Sequence, residues 1–312
     1  MLEPLLLGVA LPGAIALLVA LMLRRLWQAN GPWPAAWSTA LAAALGLIGG
    51  AFALSGSISV PPSTVEAWPP WWGLLAVPLA FLPGHRGARL TGILLAGVGV
   101  GLTLTLPLVP HALSGGEAAG ITALVAISIG VGATLLHATL TASGDTFDGR
   151  AGLLVQNVWA GGGAAIVMLS ATVVGAQLLG AFAAASGALV VLALWRPGSA
   201  TSDTSGAGAS LIPLTALLVP GVAWMAHLYA DMNTVTLVLL LAAPLLLPVG
   251  AMLQTARRGT LARIVLPAAV FSVLIGAAAG LQAMDYFADP AAAEDASTDG
   301  DAPEDDNSYG YE

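Results

Sequence analysis

Long apolar runs separated by short polar breaks dominate this chain. The run from Ala151 to Trp195 carries no charge and has an arginine on each side. A helix needs about 20 apolar residues to cross a hydrocarbon core of roughly 30 Å. This run therefore predicts two spans joined as a hairpin, and the rest of the chain can be ordered around it.

The same reading gives helix 1 over Met1–Leu23, with Arg24 and Arg25 directly after it and no positive residue before it. A signal peptide has the opposite order, so the helix is expected to be retained. After the Asn30-Gly31-Pro32 break comes helix 2 over Ala35–Leu54, then a loop over Ser55–Pro70 rich in Ser, Pro and Trp. Helix 3, over Trp71–Leu82, is short and contains Pro78. Helix 4 follows over Leu90–Val109 and helix 5 over Glu117–Thr141, with helices 6 and 7 forming the central hairpin. Helix 8 covers Leu211–Ala230, helix 9 Thr234–Leu253 and helix 10 Leu261–Met284. The expected fold is an all-α polytopic membrane bundle of about ten transmembrane helices, covering residues 1–288, with an acidic tail over 289–312.

The arginines test that count, because cytoplasmic loops carry the excess of Lys and Arg. With the N-terminus outside, Arg24, Arg25, Arg86, Arg89, Arg150, Arg196, Arg257, Arg258 and Arg263 all fall on the inner side. Dropping helix 3, or merging the hairpin into one span, moves the later arginines to the other face. Both termini are therefore expected outside the cytoplasm of a bacterial inner membrane. Trp27, Trp33, Trp37 and Trp195 then sit near the inner boundary, and Trp68, Trp71 and Trp72 near the outer one, as an aromatic belt requires. Trp159 and Trp224 lie deeper and read as packing residues.

Composition agrees with the pattern: 57% of the residues are hydrophobic and 8% charged, with mean hydropathy +0.88, against about a quarter charged in soluble domains. Without cysteine there is no disulfide, thiolate metal site or cysteine nucleophile. The net charge of −8 resides in the tail, where Asp285–Glu312 holds ten acids and no base. From Asp289 onward the tail lacks the bulky apolar residues that a core requires and is expected to be disordered. The few, scattered arginines argue against a nucleic-acid partner. The expected partners are the lipid bilayer and either subunits of a membrane complex or further copies of the chain.

Three kinds of feature could carry function. Gly46 with Gly50, Gly97 with Gly101, and Gly276 with Gly280 form GxxxG pairs, which allow helices to approach closely within the bundle or between copies. Pro213, Pro220, Pro244, Pro248 and Pro267 concentrate in helices 8 to 10, where each proline kinks its helix and frees a carbonyl that a neighbour or a solute can use.

Polar side chains within spans are the third kind. His137 near the inner end of helix 5, and Gln156 and Asn157 near that of helix 6, are expected at similar depth, with Asp145 and Asp148 in the loop between. They form either a solute- or proton-contact cluster or a structural hydrogen-bonded group. On the other face His227 and Asp231 are spaced i and i+4 with Tyr229 between, which on a continuous helix puts both on one side. Glu3, Glu66, His111, Glu117 and Asp285 share that face.

No recognised metal spacing, P-loop, HExxH or GxSxG motif occurs, and no cofactor is implied. The residues carry no family signature. Two functional expectations follow: a permease or flippase-like transporter for a neutral or amphipathic solute, using His227, Asp231, His137, Gln156 and Asn157, or a non-catalytic scaffold or accessory subunit of a larger membrane complex. An intramembrane enzyme ranks third.

Overall fold

The computed structural model describes residues 6–30, 35–80, 86–142, 149–195, 201–255 and 260–288. The expected disordered tail, Glu3, Trp33, Asp145 and Asp148 lie outside these residues, as do the side chains of Trp27 and Trp37. Every element described is helical, and no strand occurs among the described residues. A π turn over Leu6–Ala10 leads into α1 (Leu11–Asn30), followed by α2 (Ala35–Ser55), α3 (Pro69–Ala80), α4 (Arg86–Thr105), α5 (Gly115–Ala142), α6 (Gly149–Leu169), α7 (Val173–Trp195) and α8 (Thr201–Tyr229). The last part comprises α9 (Thr234–Ala242), a 3₁₀ turn over Ala243–Leu246, α10 (Leu247–Thr255) and α11 (Thr260–Ala288).

The protein is an all-α, multi-pass membrane helix bundle. Among the described residues eight helical stretches are long and apolar enough to cross a membrane, with α9, its 3₁₀ turn and α10 together forming one of them. The apolar stretch Gly8–Leu23, which runs from the π turn into α1, is shorter. The 12 residues of α3 reach only about 18 Å, too little to cross alone. Yet α3 is buried along Pro69, Pro70, Trp72, Gly73, Ala76 and Val77, so its ends meet protein instead of lipid. These two shorter helices and the eight long stretches correspond in position to the ten expected, with α3 short of a full span by itself.

Backbone economics explain the architecture. Inside a bilayer each N–H and C=O must be paired within its own segment, which helices achieve. Since most side chains are apolar, lateral arrangement is left to shape, and small residues allow the tightest approaches. A Cβ added at Gly46 would come 2.7 Å from the Ala185 Cβ and 2.8 Å from the Pro12 carbonyl oxygen, so α2 lies against both α1 and α7 there. At Gly101 an added Cβ would come 2.9 Å from the Thr122 Cα, where α4 meets α5. That contact is closed by a 3.0 Å hydrogen bond between the Thr105 and Thr122 hydroxyls.

The hairpin expected from Ala151 to Trp195 is present as α6 and α7, joined at Ser170–Thr172 with Ala171 in the left-handed region at φ 63°. The helix at the centre is nevertheless α8. It packs against α2, α3, α4, α5, α6, α7 and α9. Its span Gly208–Tyr229 is 89% buried inside the bundle, whereas the spans in α4 and α11 are 33% buried. It also starts ten residues before the expected Leu211. Trp72 departs from the expected belt as well: it is 1% exposed and lies over Gly221 of α8, where an added Cβ would sit 3.0 Å from its ring. Trp195, at the end of α7, is 81% exposed.

Candidate functional site

The polar side chains expected to line a path fall into three separate arrangements. At the centre, Gln156 is fully buried on α6 and points at α8. Its Nε2 donates to the Gly208 carbonyl at 2.8 Å and its Oε1 accepts from the Thr215 hydroxyl at 2.9 Å. Gly208 lies one turn before Ile212, five residues ahead of Pro213. A substitute for a donor that proline removes occurs on α9. Pro244 has no amide hydrogen for the Leu240 carbonyl, and the Trp159 indole N–H donates to that oxygen instead, at 3.0 Å. The Trp159 ring is wholly buried and stands edge-on to Phe271 of α11, with centroids 6.1 Å apart. The Pro244 carbonyl, which Pro248 cannot engage, accepts from the Leu247 amide. The carbonyls that Pro244 and Pro248 leave without a helical donor are thus bonded within the protein.

Asn157, next to Gln156 but about 100° around the helix, faces α7. It donates to the Ala183 carbonyl and, at 3.0 Å, to the Ser186 hydroxyl. His137 is half-buried on α5 and is bonded to neither residue. The expected three-membered cluster is therefore split, because the short loop does not make α5 and α6 close partners. They meet at isolated points, such as Trp159 over Gly132 and Leu140 over Gly152, while α5 packs on α4 and α8 and α6 on α7, α8 and α11.

The second arrangement ends α8. The helix stops at Tyr229, and Asp231 has φ 52°, so the i and i+4 geometry expected for His227 and Asp231 does not form. Asp231 occupies the left-handed position that closes many helices, and the Met232 amide reaches back to the Ala226 carbonyl at 3.3 Å. His227 Nδ1 donates to the Met232 carbonyl at 2.6 Å, which defines its tautomer, and its ring stands edge-on to Trp224 at 5.8 Å. Trp224 donates to the Ser128 hydroxyl at 3.2 Å, and Tyr229 to the Leu104 carbonyl at 2.6 Å. Asn233 caps α9 through the Val235 amide and donates to Asp285 of α11 at 2.8 Å. Glu117 is taken up by a capping box with Ser114 at the start of α5, and His111 is exposed in the preceding turn. Among the described residues no group of three or more His, Asp or Glu is placed to hold a metal ion.

The third arrangement was not anticipated. Between the end of α2, the 56–68 loop and the start of α7 lies a cleft of about 390 Å³. Its polar lining includes Ser57, Ser59, Ser63, Thr64, Glu66 and Gln177, and its floor is Ala51, Leu54 and Leu178. Glu66 and Gln177 have no hydrogen bond or ion pair within the described residues, so a carboxylate and an amide remain available for a ligand. The length and serine content of the loop were legible in the sequence. The approach of Gln177, more than a hundred residues away, was not.

No family model, curated protein or solved structure matches this chain.

Proposed function

We propose that this chain is a non-catalytic scaffold or accessory subunit of a larger membrane assembly. We place it in a bacterial cytoplasmic membrane, with its arginine-bearing loops inside the cell and both termini outside. One observation carries the reading: α8, the axis of the bundle, is enclosed by its neighbours, and Gln156, Trp159 and Thr215 spend their polar atoms on one another and on carbonyls near the proline turns. Features that would line a transport path at the axis act instead as internal struts, as a rigid platform requires.

The test is purification from native membranes in mild detergent, followed by native mass measurement and identification of bound chains. The subunit reading expects a stoichiometric partner; a lone monomer counts against it. The second reading, a permease or flippase-like transporter for a neutral or amphipathic solute, is favoured by the open cleft at Glu66 and Gln177. It expects solute flux that falls at least tenfold in Glu66→Gln or Gln177→Ala. If flux instead responds to His227→Ala or Asp231→Gly, the α8–α9 turn becomes the contact site.

A further inference from the structure

The crease between α1 and α7 is an apolar groove of about 640 Å³ that is open at the surface of the bundle. Its volume lies within the usual range for small-molecule sites. Gly13 allows α1 to approach the α7 backbone closely, since an added Cβ would lie 3.4 Å from the Ala184 carbonyl oxygen. Ala14 and Ala188 line the crease beside that contact, with Leu21, Val191 and Trp195 toward its end. Arg25 is exposed and lies one helical turn beyond Leu21, on the same face of α1. Trp195 is 81% exposed at this end, where an indole combines an apolar ring with an N–H donor for the headgroup region.

We propose that this groove is a binding site for one anionic membrane phospholipid. An acyl chain lies along the crease between Ala14 and Ala188, and the headgroup phosphate meets Arg25 beside Trp195. The inference goes beyond the subunit reading and stands whether the chain scaffolds or transports. Charge complementarity selects the occupant. The crease is apolar along its length, with the cationic Arg25 one turn beyond its end on the same face of α1, which matches an anionic amphiphile with a single chain inserted. A second copy docking an apolar helix would leave the guanidinium without a counterpart.

The test is native mass spectrometry of the full chain in a mild non-ionic detergent, titrated with 1-palmitoyl-2-oleoyl phosphatidylglycerol or with the phosphatidylcholine carrying the same chains. One phosphatidylglycerol should be retained with about a fivefold preference, the scale of one cation at a membrane surface. Arg25→Gln should bring the two lipids to parity without weakening phosphatidylcholine. Ala14→Leu with Ala188→Leu should remove one bound lipid of either kind, helical content being checked by circular dichroism. If that variant does not fold, Arg25→Gln decides alone. The proposal is overturned by equal binding of the two lipids to the parent protein, by an Arg25→Gln variant that keeps the preference, or by a folded filled variant that keeps its lipid. It is also overturned if filling the groove dissociates a dimer instead.

Discussion

Gly46 and Gly50 on α2 share their spacing with Gly276 and Gly280 on α11, but not their surroundings. A Cβ added at Gly50 would come 2.7 Å from the Ala181 Cβ and from the Pro12 ring, and at Gly46 the space is filled as tightly by α1 and α7. At Gly276 and Gly280 an added Cβ would meet nothing within 4 Å among the described residues. The motif supplies a smooth surface in both places, but only one of them has a helix to receive it. Close packing contributes where a partner touches the glycine, and absence of a side chain contributes nothing by itself.

Substitutions in the two regions test this contrast between filled centre and open periphery. Trp159→Ala should be the most damaging, costing about 3–5 kcal/mol as a large buried ring is removed, and it is read as lost thermal stability in detergent. Gly46→Leu or Gly50→Leu should cost about 3 kcal/mol, because the obstacles include backbone and ring atoms that cannot turn aside. Gln156→Leu should cost about 1–2 kcal/mol, the scale of an interhelical hydrogen bond in a membrane. The effect of Trp159→Phe can be separated into packing and hydrogen bonding by a double-mutant cycle with Pro244→Ala. That change supplies an amide for the Leu240 carbonyl, so the loss of the indole N–H should then cost less, by about 0.5–1 kcal/mol. A cycle with no coupling would sink the account of Trp159 as the substitute donor. Gly276→Leu should leave the thermal midpoint within about 2 °C of the parent; a large loss would mean that the α11 face is covered in the protein as prepared.

Asp231 extends the same reasoning to a helix end. With φ at 52° it occupies a conformation that glycine adopts without steric cost, so Asp231→Gly should be neutral or stabilising by up to about 1 kcal/mol. A β-branched residue such as valine should destabilise instead. Had α8 continued as a helix through residue 231, the glycine variant would be the destabilising one. Urea or thermal scans of the pair therefore distinguish the cap from the continuous helix.

The spans were legible because bilayer thickness sets a length that a hydrophobic run must meet. The expected Thr234–Leu253 and Leu261–Met284 therefore lie close to the observed Thr234–Thr255 and Thr260–Ala288. The polar clusters were less legible. His227 and Asp231 look like helical neighbours until the chain turns at Asp231, and nothing in their spacing reveals that the turn has begun. Gln156 and Asn157 are adjacent in sequence, yet the helical step sends one to α8 and the other to α7. Gln177 and Glu66 come together only because α7 packs beside the end of α2.

The helical class, the multi-pass character and the approximate limits of the spans could be read along the chain, since they depend on local hydropathy and on each helix satisfying its own backbone. Packing in three dimensions settled which helix lies at the centre, which glycine pairs are filled, and which donor meets the carbonyl that Pro244 frees. Helices that are apolar all round carry no stripe pointing to a partner. Their neighbours are therefore chosen by shape complementarity and by a few hydrogen bonds between residues far apart in the chain.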